Sequence, residues 1–257
     1  MKRLSLLLLT AVVLLAALAP LIAPYDPTDL SGPLRAAPSW SHWLGTDTLG
    51  RDVLSRLLYA GRTSLCVAIG AVVIGMALGI VVGAFAGFVG GAVEMALLRL
   101  ADLFMVFPEI MLLLVWTSLF GGGVIQMITA LGALSWMQCA RLVTTCVASL
   151  KRENYILSAE VSGLSKTRIL FLHLLPQTRR PCTVAATNGL ASALLSESAL
   201  SFLGLGVMPP QTSWGTLLTD AQSLSTLLNA PWIWLPPALA ILATLTALRH
   251  LAEEEAS

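Results

Sequence analysis

Six stretches of the chain are apolar on every helical face, and they are separated by segments rich in charge, proline or glycine. A bilayer core of about 30 Å takes about 20 apolar residues in a helix. Runs near that length occur at 4–23, 64–88, 103–120, 124–140, 181–203 and 232–248. Strands of a membrane barrel would alternate apolar and polar over about ten residues, and these runs do not alternate. The pattern therefore predicts an all-α integral membrane chain with six transmembrane helices.

The connections give the organisation. Residues 1–24 form the first span, and 25–63 an external loop holding Pro27, Pro33, Pro38, Trp40 and Trp43. That loop is too short for a core of its own, and its tryptophans suit a membrane interface. At its end, Val53, Leu54, Leu57 and Leu58 lie opposite Arg51, Arg56 and Arg62, which predicts a short amphipathic helix on the outer surface. A five-helix core follows over 64–249, including a cytoplasmic loop at 153–176, and 250–257 form a solvated tail. The second span carries Gly75, Gly79, Gly83 and Gly87 at a spacing of four, continued by Gly91. Small residues in register let helix backbones approach in lipid. The ridge reads as a packing surface, within the subunit or between two, with lining of a path as the alternative.

Composition agrees. Of 257 residues, 56% are hydrophobic and 11% charged, at a mean hydropathy of +0.82, against roughly a quarter charged in soluble chains. The formal net charge of +1 leaves no basic excess for nucleic acid. Cationic loops stay on the cytoplasmic side. With the N-terminus inside, that side holds Lys2, Arg3, Arg99, Arg141, Lys151, Arg152, Lys166, Arg168, Arg179, Arg180 and Arg249, leaving Arg35, Arg51, Arg56 and Arg62 outside. Both termini are therefore expected inside. The first run also has the layout of a signal peptide with Ala17-Leu18-Ala19 as cleavage site, but Pro20 directly after it favours an uncleaved helix. Cys66, Cys139, Cys146 and Cys182 lack paired spacing and read as free thiols.

Ionisable residues within spans mark functional sites. Glu197 lies among serines in the fifth run, so it is a hydrogen-bonded node or a pathway residue. Asp102 and Glu109 flank the start of the third run around Pro108, and Arg99, three residues before Asp102, is placed for a helical ion pair. Glu109 is a second pathway candidate, since acid groups at a pore favour cationic cargo.

Residues 155–176 are too polar to span and too apolar for a tail. They read as a helix stopped at Gly163, then a second helix that Ser165 can cap, ending near Pro176. Here the sequence resembles the inner-membrane permeases of ATP-binding-cassette importers, specifically the second permease of the dipeptide, oligopeptide and nickel uptake group. That family's cytoplasmic signature maps onto Ser158, Ala159, Gly163, Ile169, Leu175 and Pro176. Where it commonly begins with Glu, this chain has Leu157, with Glu160 three positions on. The external stretch from His42 to Arg56, including Gly45, Asp47, Gly50, Arg51 and Asp52, resembles the subgroup's loop after the first helix, although a glycine turn with Asp47 or Asp52 as helix cap explains the same residues structurally. Glu197 to Val207, then Pro209-Pro210 and Ser213-Trp214-Gly215, is a third match. The C-terminus departs, with Glu253, Glu254 and Glu255 in place of a run closing on Asp-Pro.

The resemblance implies a non-catalytic permease half that shares its path with a second homologous permease. It implies an external solute-binding protein, two cytoplasmic ATPases docked on the 153–176 loop as a coupling helix, and a bacterial inner membrane. No cofactor is expected on this chain: no Gly-x-x-x-x-Gly-Lys-Ser/Thr phosphate loop occurs in it, so ATP and magnesium belong to the ATPases. His42, His173 and His250 are not spaced as metal ligands, and the cargo is left as peptide, nickel or another metal chelate. An ion-coupled secondary transporter is the alternative, but no internal repeat supports it. A membrane enzyme would need a nucleophile with a base in reach, which the sequence does not offer.

Overall fold

The computed structural model describes residues 2–256, except that the side chains of Lys2, Leu157, Glu160 and Ala256 lie outside the described residues. The helices are α1 (Lys2–Ala17), α2 (Ala19–Ile22), α3 (Val53–Val89), α4 (Gly91–Met105), α5 (Glu109–Phe120), α6 (Val124–Leu150), α7 (Asn154–Val161), α8 (Lys166–Ile169), α9 (Arg179–Phe202), α10 (Trp214–Leu218), α11 (Leu224–Asn229) and α12 (Pro231–Ala256). Among the described residues the one β feature is an isolated antiparallel bridge between Thr46 and Asp52.

The organising element is α3, whose 37 residues extend about 55 Å, well beyond a bilayer core of about 30 Å. This corrects the expectation of a separate amphipathic helix on the outer surface. Asp52 caps α3 by accepting from Ser55 N at 2.8 Å, and the helix runs unbroken through residues 63 and 64. Arg56, placed by its pattern on a water-facing side, is 5% exposed. Its charge meets the carboxylate of Asp47, so the helix need not lie flat to keep that charge in water.

The most extensive helix pair is α3 with α6, and the glycines are the reason. A Cβ added to Gly79 would sit 2.5 Å from Cys139 Cβ and 2.8 Å from the Trp136 carbonyl oxygen; Gly75, Gly83 and Gly87 face Ser135, Ala140 and Thr144 as closely. With no hydrophobic force between helices in lipid, contact area is the main gain, and missing side chains provide it. The ridge is thus consumed inside the subunit. Thr144 Oγ1 donates to the Gly83 carbonyl at 3.2 Å. At the far end Lys151 Nζ donates to the Phe88 carbonyl at 2.7 Å, a cation at a helix C-terminus.

The third apolar run is broken rather than straight. Between α4 and α5 the axis turns by 81° at Phe107-Pro108, where proline's missing N–H and its clash with the preceding turn forbid continuation. Asp102, in α4 ahead of the break, pairs with Arg141 of α6 and not with Arg99.

By length and composition, α3 and α12 can cross a membrane, and α4 with α5 make a third if the bent pair is one span. Both α6 and α9 are long enough but polar: the first carries Gln126, Gln138 and Arg141, the second Asn188, Glu197 and four serines. α9 lies between α3 and α12 and packs on both, burying Leu194 and Leu200 against Val67, Ala71, Leu113 and Trp214. Outward faces are apolar and exposed, as at Leu4, Leu7, Val73, Val81 and Leu242. The final residues are helical too, since α12 continues to Ala256 where a plain tail was expected.

Candidate functional site

Between α3, α6 and α9 lies a cleft of about 260 Å³, bordered by Val72, Gly75, Met76, Leu131 and Leu142 and carrying polar groups from three directions. Gln138 and Ser135 come from α6, Asn188 and Ser192 from α9, and Glu109 from the first turn of α5. Helical spacing explains the sharing: Asn188 and Ser192, four apart, occupy one face of α9, and Ser135 and Gln138, three apart, one face of α6. Pro108 sets where α5 starts, so the chain break delivers Glu109 to the cleft mouth. There Ser196 Oγ donates to Glu109 Oε1 at 3.4 Å. Sequence reading singled out Glu109 but missed Gln138, Asn188, Ser135 and Ser192. Their signal was present, because uncharged amides inside apolar runs are costly toward lipid.

Glu197 is elsewhere. It is fully buried and borders none of the cleft; of its two readings, the geometry supports the hydrogen-bonded node. Its carboxylate accepts from Ser201 Oγ at 2.6 Å and from Ser64 Oγ at 3.0 Å. Each serine is itself an acceptor, from Val207 N at 3.1 Å and from Trp214 N at 3.0 Å. The node therefore joins α9, α3 and the segment that leads into α10.

At the opposite end from the Thr46–Asp52 bridge, α7 and α8 form a hairpin. Gly163 takes the left-handed conformation that stops α7 (φ +82°), and Ser165 Oγ caps α8 by accepting from Arg168 N at 3.4 Å. The expected second helix has no end near Pro176: α8 passes through a π turn (Leu170–Leu174) and a 3-10 turn (Leu175–Thr178) straight into α9. Ile156, Ile169 and Leu174 are buried against Val143, Val147 and Cys182. Ser158, Gly163 and Pro176 are exposed, while Ala159 and Leu175 are half-buried. Val161 is 90% exposed, and Phe171 and Leu172 are exposed as well. The side chains of Leu157 and Glu160 lie outside the described residues.

The 42–56 segment is a compact knot. Asp47, with no exposure, accepts from Leu49 N at 2.8 Å, Arg51 N at 2.9 Å and Arg51 Nε at 2.7 Å, and from Arg56 Nη1. Asp52 also meets His42 Nδ1 at 3.0 Å. Gly45 and Gly50 both have positive φ; a side chain at Gly45 would strike Trp232 of α12, and one at Gly50 the Gly32 carbonyl. These residues have a structural account: they cap α3 and tie the loop to α12. Among the described residues, no cluster of three or more His, Cys, Asp or Glu could hold a metal ion.

Comparison with known proteins fits this architecture. Residues 79–253 match the family described as the binding-protein-dependent transport system inner membrane component. A Brucella suis protein named as a peptide permease is 36% identical over 250 residues, covering 97% of this chain and 83% of that protein. The dipeptide transport system permease protein DppC of Alkalihalophilus pseudofirmus is 35% identical over 93% of this chain and 78% of its own length. The nickel transport system permease protein NikC of Escherichia coli K12 is 35% identical over 91% and 82%. The helical fold, the apolar outer faces and this match over most of the length have one conclusion: the chain belongs to the inner-membrane permease family of binding-protein-dependent, ATP-binding-cassette transport systems.

Proposed function

We propose that this chain is one of two permease subunits of an ATP-driven importer in a bacterial cytoplasmic membrane, moving peptides or nickel or another metal chelate. The observation that carries the reading is the α7–α8 hairpin. Its inner side is held by Ile156, Ile169 and Leu174, while Val161, Phe171 and Leu172 project with nothing in the chain covering them. An exposed apolar set on a firmly anchored element suits a docking surface. On this reading two cytoplasmic ATPases, which bind ATP and magnesium, dock there. The residues of the cytoplasmic signature other than the buried Ile169, namely Ser158, Ala159, Gly163, Leu175 and Pro176, shape the same surface. Because α8 runs through a π turn and a 3-10 turn directly into α9, a push on the hairpin moves α9, one wall of the cleft.

Six segments would cross the membrane: α1 with α2, α3, α4 with α5, α6, α9 and α12, with both termini cytoplasmic. A second homologous permease would close the open side of the cleft, and an external solute-binding protein would deliver cargo at the end that holds the Asp47 knot. ATP-driven closure of the ATPases would shift the pair between inward-open and outward-open populations. This chain itself performs no chemistry.

The test is dependence on partners. The tagged chain, extracted in mild detergent from its host, should retain a second permease and one or two proteins with phosphate loops. Vesicles holding that complex should import cargo only with ATP inside and binding protein outside. Uptake by this chain alone under an ion gradient, indifferent to ATP, would instead make it a secondary carrier.

A further inference from the structure

Glu109 is the one formally charged side chain lining the cleft among the described residues. Among the described residues no cationic side chain pairs with it, and the Ser196 hydroxyl donates to it. The amides of Gln138 and Asn188 are exposed in the same cleft. Both lie well inside their helices, fourteen and nine residues from the starts of α6 and α9 by number (138 − 124 and 188 − 179). Amides at that depth, and a carboxylate beside them, would be expensive against lipid, so they face water or a second protein. Charge and amides together form a site of particular chemistry. The carboxylate attracts a cation, while amides that both donate and accept suit a peptide unit, and Val72, Met76, Leu131 and Leu142 offer apolar contact beside them.

From this juxtaposition we infer that Glu109 is a specificity-determining residue of the cleft, selecting cargo by a positively charged amino terminus while Gln138 and Asn188 hold the adjoining peptide unit. The inference rests on the importer reading above and adds that the permease, and not the delivering protein alone, discriminates. An ammonium passing an uncompensated carboxylate is favoured over its neutral acetylated form. The Ser196 hydroxyl leaves most of the carboxylate's acceptor capacity unused.

The assembled importer in vesicles, with binding protein and ATP supplied, is given one tripeptide with a free or an acetylated amino terminus. The wild-type complex should import the free form about tenfold faster. Glu109→Gln should compress that ratio toward unity, and Glu109→Asp should keep it. Because the binding protein is the same throughout, its own preference cancels between variants. An unchanged ratio in Glu109→Gln overturns the inference. A second readout needs neither cargo nor binding protein: in the purified complex, a thiol at position 192 made by Ser192→Cys should react about tenfold faster with a cationic than with an anionic thiosulfonate of equal size, and adding Glu109→Gln should remove the difference. The parent chain, in which Cys66 is exposed, sets the background. A complex that imports neither peptide yet shows this charge preference overturns the selection of an amino terminus and keeps the cleft's preference for cations; equal reactivity defeats the selectivity.

Discussion

Ser64 Oγ donates to Glu197 Oε2 at 3.0 Å across 133 residues of sequence, and the same hydroxyl accepts from Trp214 N. One serine thus connects α3, α9 and the start of α10 through a carboxylate with no exposure. A buried acceptor with several donors costs most when it is removed, because the donors are left unmet.

Glu197→Leu should therefore destabilise the protein by about 2–4 kcal/mol, and Glu197→Gln by about 1 kcal/mol, since the amide keeps one accepting oxygen. Ser64→Ala should fall near the smaller value. Unfolding of the detergent-solubilised chain, followed by denaturant titration, gives the ranking; Glu197→Leu matching wild type would show that the node contributes nothing.

Asp47 poses a sharper case. Its carboxylate serves Arg51, Arg56 and two backbone amides, and Arg56 is nearly as buried as Asp47 itself. Breaking a buried pair by removing one partner costs about 3–5 kcal/mol. Asp47→Ala should lose that much and free the start of α3, which hydrogen exchange of amides 53–58 would register as faster exchange. Asp29→Ala, in an exposed turn of the same loop, should change stability by no more than about 0.5 kcal/mol.

Local rules carried part of this architecture into the sequence. A glycine every four residues needs only helical periodicity to become a ridge, and Gly163 with Ser165 needs only turn chemistry to end one helix and begin another. Partners far along the chain were not legible. Arg99 stands three residues from Asp102, yet packing of α4 on α6 brings Arg141 to it instead. Arg56 looked solvent-facing because its neutraliser, Asp47, sits outside the helical repeat. The cleft was half visible: Glu109 drew notice as a charge in an apolar run, whereas Gln138 and Asn188 gained meaning once α6 and α9 were seen facing one cavity. Glu197 and Glu109 had seemed equal pathway candidates, and packing separates them, one inside the core and one on the cleft.

The ridge yields a graded expectation. Gly79→Ala forces a Cβ against Cys139 and the Trp136 carbonyl, and Gly83→Ala against the Ala140 backbone. Backbone cannot step aside as a flexible side chain can, so each should cost about 1–3 kcal/mol. Gly189→Ala faces a Val72 methyl at 3.3 Å, a neighbour able to shift, and should be tolerated within about 1 kcal/mol. Parallel thermal unfolding of the three variants checks the order; equal effects would mean that α3 and α6 separate freely at that contact.

The hairpin should separate stability from partner binding. Leu174 and Ile156 are buried among Val143, Val147 and Cys182, so Leu174→Ala or Ile156→Ala leaves a cavity worth about 2–5 kcal/mol. Val161 is 90% exposed and Phe171 64%. Their replacement by serine should alter the isolated chain's stability by no more than about 0.5 kcal/mol. If these side chains fill the docking face of an ATPase, the pair of substitutions should weaken its capture by about tenfold or more, as loss of an apolar anchor does. Titration of the purified ATPase onto immobilised permease, alongside unfolding of the same samples, reads both quantities. Val161→Ser with Phe171→Ser binding the ATPase as tightly as wild type would move the contact elsewhere on the hairpin end, with Ser158 and Pro176 the next exposed positions to substitute.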